Sequence, residues 1–302
     1  MIWLKLLLSG LLLIYLGWLL DIPAIIDRLA EAQWQWVIPA CLCLLIGQFF
    51  SALRWAWLAN GLGLAVNTLR KIQLYFLGMF LSLFLPSIIG GDVARGWMLA
   101  RDREGAGWAA AASVILERVN GVFGIMVLIT FCLFYQTVPD SMALIWYVST
   151  LLLWVAMVMT PWWWPRLQSL KIERLSGWKH LPLTSAAFRG AWWRSLPVSV
   201  LFQSLVIQAH VFLGFAVGLE LSWAAYGLMV CLVALASALP ISFNGFGIRE
   251  AGYVGLAVWF GGNSDAAAAM AMLWVLVLVI AAIPGGVVLW RLGGTRALKK
   301  QV

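Results

Sequence analysis

The sequence predicts an all-α, polytopic transmembrane helical bundle, arranged as an inverted repeat with two re-entrant helical hairpins. Three observations predict it. The 302 residues are 64% hydrophobic and 11% charged, with a mean hydropathy of +0.95, and no polar stretch is long enough to fold as a separate soluble domain. Six apolar stretches reach the roughly 20 residues that a helix needs to cross the hydrocarbon. Two further apolar stretches break at related Leu-Pro and glycine sequences, each followed by an arginine nine residues after the proline.

The six stretches are about 2–20, 36–58, 106–135, 142–160, 195–218 and 267–290. The first has one lysine and no small-x-small cleavage site after it, so it reads as an uncleaved transmembrane helix rather than a signal peptide. Excess Lys and Arg mark the cytoplasmic side of a membrane protein. Asp21, Asp27, Arg28 and Glu31 therefore place the first loop outside, whereas Arg70, Lys71, Arg101 and Arg103 place both flanks of the 72–89 stretch inside. Chain that starts and finishes on one side crosses an even number of times: 72–86 descends, Ile88 to Asp92 turns, and 93–103 returns.

Helices 106–135 and 142–160 then deliver a loop at 161–194. It carries six cations (Arg166, Lys171, Arg174, Lys179, Arg189, Arg194) against the single acid Glu173. Its tryptophans, Trp162, Trp163, Trp164, Trp178, Trp192 and Trp193, suit a segment at the headgroup level. Helix 195–218 runs outward to Glu220, and the tail with Arg291, Arg296, Lys299 and Lys300 ends inside. Since 267–290 crosses once, 225–265 must form a second hairpin, entering from the opposite face. Both termini are expected in the cytoplasm.

A shift of 154 residues aligns Pro86 with Pro240, Arg95 with Arg249, helix 36–58 with 195–218, and helix 106–135 with 267–290. The chain thus reads as a single integral membrane domain, 1–302, with repeat units at about 36–135 and 190–290. Three full crossings separate the hairpins, so the units are inverted. Pro86, Gly90 and Gly91 shape the first tip; Pro240, Gly245 and Gly247 shape the second.

Non-helical backbone at membrane depth is tolerated only where protein or water satisfies it, so each tip implies a cavity. A short helix follows each tip, with Asp92 and Asn244 as N-caps and Arg95 and Arg249 on its first turn. Helix N-termini favour anions, and two such ends meeting across a pseudo-two-fold axis would cradle a phosphate. Alternatively, the two arginines only neutralise Asp92 and Glu250. Glu117 and Arg118 lie in the middle of helix 106–135, where each would cost about 2.5–3.5 kcal/mol facing lipid. They must face the interior or a wet cavity, either lining a pathway or as a structural pair. Ser113, Glu117, Asn120 and Gly124 follow helical spacing and form a polar stripe. Arg54 either joins the site or snorkels to the headgroups. His210 reads as a hydrogen-bonded packing residue rather than a proton carrier, and Gly285-Gly286 as a close helix contact.

The net charge of +8 is spread over short loops beside apolar helices, which suits orientation and anionic lipids at the cytoplasmic face rather than nucleic acid. Cys41, Cys43, Cys132 and Cys231 all lie in apolar runs and read as buried free thiols. No Ser/His/Asp arrangement, metal-ligand cluster or phosphate loop emerges, so neither a metal nor a cofactor is expected. The broken, cation-bearing segments read as a transporter more than as an enzyme.

Taken together, these residues resemble the flippase-like transmembrane region of bacterial lysylphosphatidylglycerol synthases and its stand-alone relatives. The resemblance rests on Arg54-Trp55, Tyr75-Phe76 with Leu85-Pro86, and Gly90-Gly91-Asp92-Val93-Ala94-Arg95. It continues through Ser113-Val114 with Glu117-Arg118, then Pro240-Ile241-Ser242 and Gly245-Phe246-Gly247-Ile248-Arg249-Glu250-Ala251. The resemblance implies a multi-pass protein of the bacterial inner membrane that moves a lipid between leaflets and leaves the lipid open, whether a phospholipid, a hopanoid or glycolipid precursor or a polyprenyl-phosphate carrier; the charged residues themselves point to an anionic, phosphate-bearing headgroup. Arg95, Arg249, Arg118 and Arg54 would hold the phosphate, with Asp92, Glu117, Glu250 and Asn244 around them. A soluble aminoacyl-transferase domain is absent from these 302 residues, which argues against lysine transfer. A membrane-embedded enzyme, or an accessory subunit of aminoacyl or glycosyl transfer to lipids, is the alternative.

Overall fold

The structure, a computed structural model, describes residues 17–85, 90–102, 105–136, 140–159, 180–238 and 245–292, with isolated positions at 10, 11, 14, 15, 166 and 178. Among the described residues all regular structure is helical. In chain order the helices are α1 (Ile22–Ala30), α2 (Val37–Gly61), α3 (Thr68–Ser82), α4 (Gly90–Arg101) and α5 (Gly107–Leu133). They continue with α6 (Asp140–Val158), α7 (Ala186–Val217), α8 (Trp223–Ala238), α9 (Ile248–Trp259) and α10 (Ser264–Arg291).

Four of the expected spans are helices long and apolar enough to cross a membrane: 34–61, 107–133, 186–217 and 264–291. The stretch 142–160 coincides with α6, whose apolar part covers 143–156. The stretch 2–20 lies largely outside the described residues, as do most of 161–179, the tail after 292 and the tips at 86–89 and 239–244. Pro86, Pro240 and Asn244 therefore fall outside them.

Local chemistry sets the helix ends. The Asn67 side chain accepts from the Leu69 N–H at 2.8 Å, Ser185 Oγ from Phe188 N–H at 3.1 Å, and Asn263 Oδ1 from Ala266 N–H at 2.9 Å. Each satisfies an N–H that lacks an intrahelical partner. At the other end of α7, Gly218 takes φ +70°, a left-handed cap that glycine adopts without a Cβ penalty.

Two positions differ from the sequence reading. The expected acidic loop contains α1, because Asp21 caps it and Pro23 sits in its first turn; Arg28 then donates to the Val217 carbonyl at 3.2 Å. Helix 195–218 begins nine residues earlier, so Arg189, Trp192, Trp193 and Arg194 lie on α7 and not in a loop. At about 1.5 Å per residue α7 is about 48 Å long, well beyond the hydrocarbon thickness.

α2 and α7 form the spine, packed antiparallel along their lengths. Trp36 at the start of α2 stacks on Phe212 near the end of α7, while Gly61 at its end meets the backbone of Phe188. One face of α2 (Ala40, Leu44, Ser51, Trp55, Leu58) is buried, and the opposite one (Ile38, Leu42, Ile46, Phe49) is exposed. A helix with an exposed apolar face and buried polar residues is built for lipid surroundings.

Around the spine, α3 packs on α4 and α10, α8 packs on α9 and α5, α4 packs on α5, and α9 packs on α10. Gly285 of α10 sits so close to α3 that a Cβ there would lie 2.0 Å from the Phe76 carbonyl oxygen; the Gly-Gly pair is a packing contact. The shorter helices α3, α4, α8 and α9 have 15, 12, 16 and 12 residues, about 18–24 Å each, less than the roughly 30 Å hydrocarbon core. All four cysteines are free; Cys132 and Cys231 are buried, while Cys41 and Cys43 are half-buried.

Candidate anion site between the spine and the first short helix pair

Five charged side chains from three helices meet where α4 and α5 approach α2. Glu117 of α5 is the hub. Its Oε1 accepts from Arg54 of α2, and its Oε2 accepts from Arg95 Nη2 of α4 at 2.8 Å. The Asp92 carboxylate divides between two cations: Oδ1 takes Arg95 Nε at 3.0 Å, and Oδ2 takes Arg118 Nε at 2.8 Å. Glu117 and Arg118, adjacent in sequence and about 100° apart on the helix, thus serve different partners.

Neutral groups complete the network. Arg54 Nη1 donates to Ser199 Oγ of α7 at 2.6 Å and its Nη2 to Ser51 Oγ at 3.0 Å. Ser199 in turn donates to Asn120 Oδ1, and Trp55 Nε1 donates to Ser113 Oγ at 3.1 Å. The polar stripe Ser113, Glu117, Asn120, Gly124 therefore turns toward the α2–α7 spine, and Gly124 lets the Ser199 backbone approach, at 2.8 Å from where a Cβ would stand. The Arg95 guanidinium carbon lies 4.6 Å from the Trp55 ring centroid and 4.7 Å from that of Tyr75, within cation–π range.

Arg54 is 3% exposed, so it does not snorkel: an acid on α5 and a hydroxyl on α7 hold it inside. Asp92 is not an N-cap but lies inside the first turn of α4, which begins at Gly90. Arg95 consequently falls on the second turn. Gly91 brings the turn against α3, where a Cβ would lie 2.0 Å from both Gly78 O and Ser82 Oγ.

Counted as ions, three guanidinium groups face two carboxylates, leaving one positive charge in surplus. Two of the cations have spare donors: Arg54 Nε and Arg95 Nη1 are buried without a hydrogen-bond partner, as is Asn120 Nδ2. Arg118 differs, with a side chain 58% exposed and Asp92 as its ion-pair partner.

Arg249 and Glu250 form an ion pair of their own, at 2.7 Å, with side chains 13% and 15% exposed. Glu250 Oε2 also accepts from the Gly247 N–H at 2.7 Å; Gly247, at φ +84°, is the N-cap of α9. Among the described residues no hydrogen bond or ion pair joins Arg249 to the Arg95 cluster. The two arginines therefore belong to different ion-pair networks, Arg95 with Asp92 and Glu117, Arg249 with Glu250. Sequence reasoning missed Ser51 and Ser199 as members of the charged cluster, and singled out Trp55 and Tyr75 only through the family resemblance, without a role. A hydroxyl or an aromatic ring in an apolar helix carries no signal until a partner helix is placed beside it.

His210 is buried and packs as expected. Nδ1 lies 2.8 Å from the Val206 carbonyl oxygen and Nε2 2.8 Å from the Tyr253 hydroxyl of α9. Since a carbonyl only accepts, Nδ1 carries the proton and Tyr253 donates to Nε2. Among the described residues no group of three or more His, Cys, Asp or Glu side chains gathers around a common point.

Compared with known protein families, residues 2–286 match the family described as the lysylphosphatidylglycerol synthase TM region. A search of curated proteins returned no match.

Proposed function

The chain belongs to the lysylphosphatidylglycerol synthase transmembrane-region family, and from that premise we propose that it moves a phosphate-bearing lipid between the leaflets of the bacterial cytoplasmic membrane. The observation that carries this reading is the surplus positive charge of the Arg54–Glu117–Arg95–Asp92–Arg118 cluster, in helices otherwise built for lipid contact. An unbalanced charge at membrane depth is costly, and a lipid phosphate supplies the missing negative one while its acyl tails stay in the bilayer. Guanidinium groups match phosphate oxygens with charge-assisted hydrogen bonds. Arg118 meets the headgroup first, Arg95 and Arg54 hold it, and Asp92 and Glu117 orient the cations. Arg249 and Glu250, a neutral pair, take a secondary part.

An inverted repeat with two re-entrant hairpins underlies the transport. Its support is the pairing of helices: α3 lies on α10 as α8 lies on α5, and α5 on α7 as α10 on α2. A two-fold relation exchanging α2 with α7 generates each of these pairs from the other, and the short helices suit arms that enter and return. Charge distribution supports cytoplasmic termini. The role is transport rather than catalysis.

The test is a leaflet-labelling assay with a fluorescent phosphatidylglycerol analogue in proteoliposomes. Wild type should accelerate exchange of the analogue between leaflets, and Arg95→Ala and Arg118→Ala should each slow it about tenfold or more, the loss of one charge-assisted contact. Wild-type rates in both variants would reject the reading.

A further inference from the structure

We infer that Asp92 is an internal stand-in for the lipid phosphate: its carboxylate occupies the anion position between Arg95 and Arg118 and must release Arg118 when a headgroup binds. The inference rests on the anion-site reading above. Asp92 presents one oxygen to each of two guanidinium groups, Oδ1 to Arg95 and Oδ2 to Arg118, the arrangement that two oxygens of a phosphate would make. It sits in the first turn of α4, where the helix end favours negative charge.

The two ends of this bridge are not equally easy to break. Arg95 keeps the Glu117 carboxylate at 2.8 Å if Asp92 lets go, so no buried cation is stranded. Arg118 has the exposed side chain, so its exchange from carboxylate to phosphate costs the least desolvation. A spare donor waits beside the bridge: Arg95 Nη1 is buried and unpartnered on a residue 2% exposed. An entering phosphate gains Arg118 and Arg95 Nη1 together, and Asp92 remains on Arg95 Nε. When the headgroup leaves, the carboxylate returns to Arg118. Asp92 is a positioning residue that competes with substrate and speeds its release.

Competition makes an unusual prediction, since removing a charged residue from the site should tighten binding. A latch that holds about nine molecules in ten lowers apparent affinity about tenfold. Asp92→Asn in the full, detergent-solubilised chain should therefore bind dioctanoyl phosphatidylglycerol about tenfold more tightly than wild type, with dioctanoylglycerol binding unchanged. Translocation in proteoliposomes should slow, because release is no longer assisted. Glu117→Gln removes the same charge without vacating the anion position and should bring no such gain. In Asp92→Asn/Arg118→Gln the gain should vanish. Equal or weaker binding by Asp92→Asn, or the same gain in Glu117→Gln, overturns the latch. A gain for inorganic phosphate without one for the lipid keeps the latch and rejects the lipid reading. Should Asp92→Asn fail to fold, Asp92→Ser carries the same test: about tenfold tighter binding of the lipid probe is expected, and equal or weaker binding by a folded protein overturns the proposal.

Discussion

Around Arg95 the first half of the molecule gathers Tyr75 from α3, Glu117 from α5 and Arg54 with Ser51 from α2. At the positions 154 residues further on, the second half has Met229, Ala271, Gln208 and Leu205. Arg249, the counterpart of Arg95, turns to its neighbour Glu250 and lies 5.1 Å from the ring of Phe246, which stands where the first half has Asp92. Helix order and packing partners are alike in the two halves, but ion-pair networks are not. Packing needs only apolar surface of the right period, so it survives the exchange of Glu117 for Ala271. A buried charge needs a partner on another helix, so each half must be provided with charges separately. A fold of this plan can keep two similarly packed halves and load one of them with buried charge.

The largest expected break in this comparison is at the hub. Glu117→Ala strips Arg54 and Arg95 of their shared acceptor and should destabilise the protein by about 3–5 kcal/mol, read as thermal unfolding in detergent. The equivalent disruption of the second half, Glu250→Ala, takes the acceptor from one cation rather than two and should cost at most about half as much. A smaller loss at Glu117 than at Glu250 would reverse the assignment of the loaded half.

Next come the glycines of the two short helix pairs. Gly91→Ala drives a Cβ against the Gly78 carbonyl, backbone that cannot yield, and should cost about 1–3 kcal/mol. Gly252→Ala meets the Val233 side chain first, at 2.8 Å, and a rotamer change should hold the cost below about 1.5 kcal/mol. Equal losses would show that the first pair is no more tightly pinned than the second.

Transport sharpens the contrast. Arg95→Ala should slow lipid exchange about tenfold or more, whereas Arg249→Ala, removed from a neutral pair, should stay within about threefold of wild type. The smallest effect is expected at Tyr253→Phe. It deletes the donor to His210 Nε2, and since the ring contact with His210 remains, unfolding should shift by about 1 kcal/mol with little change in lipid exchange rate.

The sequence alone determined that this is a multi-pass helical membrane protein, because the period and length of apolar runs answer directly to the thickness of the hydrocarbon. It also marked Glu117 and the stripe from Ser113 to Gly124 as inward-facing, since a polar residue in such a run has nowhere else to go; the neighbouring Arg118 is exposed and reaches Asp92 instead. Tertiary structure alone decided which charges meet. Arg54 looked free to snorkel until α5 brought Glu117 to it and α7 brought Ser199. Arg249 looked equivalent to Arg95 until the helices beside it proved to carry alanine and methionine. Burial can be read along one helix; an ion pair between helices belongs to two segments at once, and the distance between them exists only in the folded chain.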